Sequence, residues 1–376
     1  MAAKARSIPV VEFQHGIITR LHPAYDFPVF KDRTLMPDYL AFYVLEKDIP
    51  ESFYIDPSRT INIGHAYLEW ALSQTKKPAW ASSRKVVVVT LQYGYYDSVI
   101  KVVEEAAKLA TDYYFVIAPR MPHDEVTIAS LHNIHIERNL SFFECLPFAD
   151  FHSTFSSTCT LEAFMTGVPT IVIAIDEIAE KYYRQFPLEG MIEYVSDGKQ
   201  FANALKRVVP DSKKHKHVDH LKGIQNLLFC LEAKLRRAEI SDARFIYDLR
   251  FSPDVVAVSM TTDIPSYENH LRWFTDNFNS PNRDFFIVTH DGKNIGVIRY
   301  DWDTHTSAFV SIFFSPECRG KGLGKIALSL GEEKLKSSGK NGVIKAVVKD
   351  DNTQSLQMFL NAGYVRSGEH LGKTIT

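Results

Sequence analysis

The chain lacks any apolar run close to the ~20 residues that carry a helix across a bilayer, which predicts a protein with no membrane span. Its opening, Met-Ala-Ala-Lys-Ala-Arg-Ser, leads straight into the strand-like Ile8–Phe13 without the apolar stretch and small-residue cleavage site of a secretion signal. Both features predict a cytoplasmic location. Cysteine is scarce: Cys145, Cys159, Cys230 and Cys318 are the 4 present, none in a CxxC pair or at metal-ligand spacing. That excludes a disulfide-stapled secreted scaffold and predicts no metal site. An excess of positive charge is missing too. The net charge is −2, from 43 basic and 45 acidic residues, and neither half is basic, so broad binding to a nucleic-acid backbone is not expected. No internal repeat or low-complexity stretch occurs.

What is present is ordinary globular composition, 45% hydrophobic and 23% charged, over 376 residues. That length exceeds one ordinary core and predicts two domains. Residues 1–80 mix short apolar runs with Pro, Asp and Tyr. From Lys85-Val-Val-Val-Val-Thr-Leu91, strands and helices alternate: a helix through Val99–Leu109, strands at Tyr113–Ala118, His135–Arg138 and Phe151–Phe155, a helix over about Cys159–Thr166, then a strand at Thr170–Ala174. This rhythm predicts a parallel sheet covered by helices on both faces. Residues 196–239 read as helical and polar, and their basic cluster Lys213-Lys-His-Lys-His217 reads as a solvated loop. Beyond about residue 240 the pattern changes. Phe285–Thr289 and Asn294–Tyr300 flank Asp291-Gly292, a tight-hairpin signal, and a second turn near His305 leads into Phe309–Phe314, giving an antiparallel meander. The domains are therefore set at 1–239 and 240–376.

The meander runs into Arg319-Gly-Lys-Gly-Leu-Gly324 and an amphipathic helix. Glycines let backbone N–H groups crowd an anion, and a helix start adds partial positive charge, so the loop can cradle a diphosphate. A dinucleotide fold places such a loop after the first strand of a βαβ unit, not after a meander. In this context Arg319, Gly322 and Gly324 resemble the Arg/Gln-x-x-Gly-x-Gly/Ala loop of the GNAT N-acetyltransferases. Asn352, Ser355, Gly363 and Tyr364 resemble that superfamily's closing block. The resemblance implies an α+β domain with a central, mostly antiparallel sheet and acetyl-CoA as cofactor. Ile312, Phe313, Phe314, Arg319, Gly320, Lys321, Gly322, Leu323, Gly324, Asn352 and Ser355 would bind it. Phe359 stands where many members carry a proton-donating Tyr. Arg250, Pro253, Val255, His270, Trp273 and Phe274 resemble acetyltransferases of nucleotide-linked 4-amino sugars in nonulosonic (pseudaminic) acid pathways, with Arg250 and Trp273 as substrate contacts. A base of near-neutral pKa is needed to deprotonate the acceptor amine; His270, His305 and Asp303 are the candidates.

In the front half, His152–Val172 resembles the C-terminal half of a GT-B glycosyltransferase of the sialyl or capsule type. The likeness implies sugar-nucleotide contacts from Ser156, Ser157, Thr158 and Glu162, although plain helix capping uses the same hydroxyls. Glu12–Tyr25 looks like the closing strand and loop of the other GT-B half and turns His15 toward a cleft. With only about ten residues ahead of that motif, the likeness implies a front half lacking its acceptor domain. The predicted fold class is thus α/β: a truncated GT-B-like Rossmann domain followed by a GNAT domain. The expected partner is a nucleotide sugar, and a homo-oligomer stays open. The expected activity is acetylation of a nucleotide-linked amino sugar. The alternatives are a glycosyltransferase with an accessory GNAT domain, a GNAT acting on a protein or small amine, and a non-catalytic binding module.

Overall fold

The computed structural model describes residues 2–6, 8–18, 25, 35–43, 53–74, 78–81, 84–183, 190–208 and 219–375. The basic cluster 213–217 and residues 19–24 of the Glu12–Tyr25 motif lie outside them.

Three short parallel strands, β1 (Val11–Phe13), β2 (Tyr39–Phe42) and β3 (Thr60–Asn62), form a small front sheet, followed by α1 (Ala66–Gln74). The next unit is wound as the alternating pattern predicts. It contains β4 (Lys85–Thr90), α2 (Tyr96–Leu109), β5 (Tyr113–Ala118), β6 (Ile134–Ile136) and α3 (Phe142–Cys145). It continues with β7 (Phe151–Thr154), α4 (Cys159–Met165), β8 (Thr170–Ile173), α5 (Glu177–Tyr183), β9 (Ile192–Val195) and α6 (Gly198–Arg207). All six strands are parallel, in the order β6-β5-β4-β7-β8-β9. The continuous valine run of β4 is buried on both faces. Val87 and Val89 enter one core with α2 and α6, and Val86 and Val88 enter another with α1 and α3. Strand order reverses between β4 and β7, so the crevice beyond their carboxyl ends is where an open α/β sheet receives ligands.

After α7 (His220–Glu232) comes a strand, β10 (Lys234–Arg237), where the polar pattern predicts only helix. It holds a single apolar residue and pairs antiparallel with β11 at the sheet edge, a setting that leaves almost no sequence signal. The C-terminal elements are α8 (Ala243–Arg250), α9 (Pro253–Val258), α10 (Tyr267–Asn277), β11 (Arg283–His290), β12 (Lys293–Thr304) and β13 (Ser307–Phe314). Then follow α11 (Leu323–Ser337), β14 (Gly342–Ala346), α12 (Thr353–Asn361), β15 (Val365–Ser367) and β16 (His370–Ile375). They build a mixed seven-stranded sheet, β10-β11-β12-β13-β14-β16-β15, in which only β13 and β14 run parallel. The hairpin at Asp291-Gly292 takes positive φ at both residues, as its turn type requires. Phe285 and Ile287 face α8 and α10, whereas Phe286 and Val288 face α11 and α12. That second face is shared with the front half: Tyr39, Ala41, Ile61, Ile63, Leu227 and Cys230 enter the same core as Ile298, Tyr300 and Ile326. The molecule is therefore α/β, and the front sheet and α7 pack on the C-terminal unit.

Candidate active site

Beyond β13 the chain makes a short turn at Pro316–Cys318 and reaches the glycine loop. Gly320 and Gly322 have φ of +73° and +80°, a region L side chains avoid, and no atom lies within 4 Å of the place a Cβ would take at either. Gly322 caps α11 with no side chain, and the first four N–H groups of any helix have no intrahelical acceptor. The loop therefore presents open amides at a positive helix end. Gly324 answers a different need, since a Cβ there would meet Met358 Sδ at 2.2 Å, so α11 and α12 cross at this point. Arg319 donates through Nε to Phe314 O at 3.0 Å and through Nη1 to Asp254 at 3.3 Å, while its Nη2 is buried without a partner. The one unmatched nitrogen of Arg319, Nη2, near open amides fits a diphosphate. Lys321 turns the other way, its ammonium 4.4 Å from the centre of the Phe229 ring.

β13 stays paired to β12 as far as Phe314, but it pairs with β14 only through Ser307, Ala308 and Phe309. Past Phe309 the sheet is open between β13 and β14. Ser315 N–H donates to Ile295 O at 2.9 Å. Alternation along the strand then turns the amides of Ile312 and Phe314 into the opening and that of Phe313 toward β12. Phe313 instead lends its ring to the cluster holding Trp273 and Phe274. Asn352 spends its side-chain oxygen capping α12 through Ser355 N–H at 3.1 Å. Phe359 is buried against Tyr364, and its ring has no proton to give.

On the α8/α10 face, His270 is buried among Tyr247, Phe251, Trp273 and Phe274. Its ring donates to the Ala243 backbone, leaving Nε2 buried with no partner. Burial holds its pKa below the ordinary histidine value, and Arg299 pushes the same way. Arg250 donates to Thr261 O at 3.3 Å, while its Nη1 is buried and unmatched. Its pKa is lowered, first by burial and then by Arg299. Arg299 leans over the Trp273 ring at 5.8 Å. Its Nε lies 2.8 Å from Asp301 Oδ2 but without hydrogen-bond alignment, so this N–H too is unmatched. Two guanidinium N–H groups and one imidazole lone pair are thus left without hydrogen-bond partners on this face. Arg299 was not singled out from sequence, yet its register was a signal: it falls on the buried Val297 side of an alternating strand. His305 and Asp303 are not brought to this region. Both are exposed in the β12–β13 hairpin at the opposite end of β13 from the loop, and Asp303 pairs with Lys345 at 3.3 Å. Five residues of extended chain separate that hairpin from Ile312, roughly 16 Å.

In the front half, Ser157 Oγ accepts Cys159 N–H at 3.2 Å, a local capping bond, and Tyr183 OH bonds both backbone groups of Ser157. Thr158 makes no side-chain cap, and Ser156 is half-buried beside it. Glu162 is buried; it accepts Tyr43 OH at 3.2 Å and faces His65 Nε2 at 3.5 Å, while its second oxygen has no partner. Leu68 N–H donates to His65 Nδ1, which puts the ring proton on Nε2 and directs it to Glu162. His15 belongs to another cluster, with Glu12 at 3.5 Å and Tyr25 OH at 3.0 Å. Tyr43 and His65 escaped the sequence reading because only the fold brings them to Glu162.

An open strand pair beside an amide-lined helix start is suited to a cofactor that carries a diphosphate. Residues 246–364 match the acetyltransferase (GNAT) family. The C-terminal unit is a GNAT N-acetyltransferase domain, and its cofactor is acetyl-CoA. Acetyltransferase PseH of Campylobacter jejuni is 28% identical over 127 residues, covering 34% of this chain and 77% of that protein. Among solved structures, spermidine N-acetyltransferase from Vibrio cholerae with CoA and spermine aligns at 18% identity over 38% of this chain and 96% of its own, with a TM-score of 0.36. A GNAT acetyltransferase from Streptococcus pneumoniae aligns at 19% identity over 39% of this chain and 100% of its own, with a TM-score of 0.34. Among the described residues no helix is long and apolar enough to cross a membrane, and no cluster of His, Cys, Asp and Glu is suited to a metal.

Proposed function

We propose that the C-terminal domain acetylates an amino group on a nucleotide-activated sugar during bacterial surface-glycan synthesis. One observation carries this reading: Arg250 Nη1 and His270 Nε2 are buried without partners, and Arg299 influences both. Asp301 already pairs with Arg299 at 2.8 Å, so it is the Arg250 guanidinium, without a carboxylate in ion-pair distance among the described residues, that is left for an anion, and a nucleotide-linked sugar brings a diphosphate. A polyamine would be repelled by that charge. The likeness to PseH supports the same class.

Acetyl-CoA supplies the acetyl group as a thioester. The chain's own residues do the rest. Arg250 holds the acceptor's anionic part, and Trp273 gives it a flat wall. The neutral Nε2 of His270 takes the proton from the acceptor ammonium, freeing the nitrogen that bonds to the acetyl carbon as the C–S bond breaks. The amides of Ile312 and Phe314 receive the negative charge on the carbonyl oxygen. Phe359 cannot donate, so the departing sulfur takes its proton from water.

For the front half, the β6-β5-β4-β7-β8-β9 order and the buried Glu162 support a GT-B-like nucleotide-sugar unit that serves as a binder or scaffold. Sugar transfer from a CMP- or UDP-sugar by this protein would show instead a glycosyltransferase with an accessory GNAT domain. The main test is CoA release from acetyl-CoA with UDP-4-amino sugars, peptide amines and spermidine. Turnover with the nucleotide sugars alone is expected, and Arg250→Met should cut it about 10- to 100-fold with the acetyl-CoA KM unchanged. Preference for spermidine or peptide would overturn the reading.

A further inference from the structure

Asp301 lies two residues past Arg299 on β12 and so shares its face of the strand. Its carboxylate serves two guanidiniums at once. Oδ1 accepts Arg283 Nε–H at 2.9 Å, and Oδ2 lies 2.8 Å from Arg299 Nε. Arg283 is the residue directly opposite Asp301 in the β11–β12 pair, so the register itself builds the first contact. Both guanidiniums lean on the Trp273 ring, 5.2 and 5.8 Å from its centre. Arg283 also donates to Asn277 Oδ1, and Asn277 Nδ2 donates to Trp273 O at 2.7 Å. All three charged side chains are half-buried. Arg250 has no such partner, and the Arg299 charge reaches both it and His270. A single carboxylate therefore offsets part of the field of three arginines, and it does so at the one whose charge Arg250 feels.

We propose that Asp301 is a positioning residue that sets the charge of the acceptor side: by engaging Arg283 and Arg299 it withholds Arg299 from the acceptor's anion and leaves that anion to Arg250. The inference rests on the acceptor reading above and adds to it the group that limits anion binding there. A second free guanidinium would hold substrate, transition state and product more tightly alike. Such uniform binding lowers KM without raising kcat, and it slows the departure of a product that still carries the diphosphate. The sign of the effect separates this role from a structural one. Removing the Asp301 charge should strengthen nucleotide binding, whereas loss of an ion pair that merely braces the Trp273 wall should weaken it.

The test is CoA release by the full chain at saturating acetyl-CoA, with a UDP-4-amino sugar as acceptor and UDP as its competitor. Asp301→Asn keeps the size of the side chain and an acceptor for Arg283 Nε–H. It should lower the acceptor KM and the UDP inhibition constant about three- to tenfold, with kcat not raised. The gain should shrink in about 0.5 M NaCl, because the freed charge is half-exposed and salt screens it. Arg299→Met should leave the acceptor KM within about threefold of wild type, and the double variant Asp301→Asn, Arg299→Met should lose the gain. A wild type that does not acetylate UDP-4-amino sugars, or an Arg250→Met variant with wild-type KM, would overturn the acceptor reading and this inference with it. With turnover and the Arg250 effect in place, three results would each overturn the inference alone: an acceptor KM unchanged or raised in Asp301→Asn, a gain that survives in the double variant, or a KM raised about tenfold in Arg299→Met.

Discussion

Replacing His270 with Gln tests the proposed base directly. The ring is buried, its one N–H is spent on the Ala243 backbone, and Nε2 has no partner. Gln keeps most of the volume and a donor for Ala243, so the aromatic packing should survive, but it cannot accept a proton at neutral pH. Loss of a general base typically costs 10²- to 10⁴-fold, about 2.7–5.4 kcal/mol on the barrier. Burial lowers the His270 pKa, so the neutral, competent ring persists below the ordinary value near 6.5. The acid limb of kcat/KM for the wild type should therefore fall below pH 6.5. The sign for stability follows from the same shift. With its folded pKa depressed, His270 contributes stability that is present above the unfolded value and lost as pH falls through the folded one. The assay is CoA release against pH for wild type and His270→Gln, with acetyl-CoA affinity measured separately. A variant with kcat within about threefold of wild type and an unchanged acid limb would refute the reasoning.

Two further perturbations test the fold that holds the site. Gly223 sits on α7 where a Cβ would fall 2.5 Å from the Ile63 Cα. Gly223→Ala should thus destabilise by about 1–3 kcal/mol in urea unfolding despite its better helix propensity, and a stabilised variant would deny that α7 packs on β3. His152 is fully buried between Thr90 and Thr170, and burial lowers its pKa to about 3. Its contribution to stability should fade by about 1.4 kcal/mol per pH unit from near pH 6.5 down toward 3, and His152→Gln should flatten that slope in chemical unfolding. Equal slopes in the two proteins would contradict the assignment.

Much of the architecture was legible because local chemistry carried it. The valine run of β4, the Asp291-Gly292 hairpin and the glycine loop each announce one conformation, since alternatives would strand apolar surface or force φ > 0 on an unsuitable residue. The polar edge strand β10 was not legible, for pairing at an edge asks little of side chains. Candidate bases were legible only as residue types. His270 and His305 read alike in sequence, and the fold puts one in an aromatic pocket and the other on an exposed hairpin.

Sequence alone determined the parallel and meander grammar of the two halves and the glycine loop ahead of α11, because turn geometry and periodicity act over a few residues. Only the tertiary structure decided what lies far apart in the chain: Arg299 beside Trp273, His65 and Tyr43 against Glu162, and Lys325 anchored on Thr60. The physical reason is that unmatched charges and lone pairs acquire meaning from what surrounds them, and those surroundings are assembled by core packing rather than by neighbours in sequence.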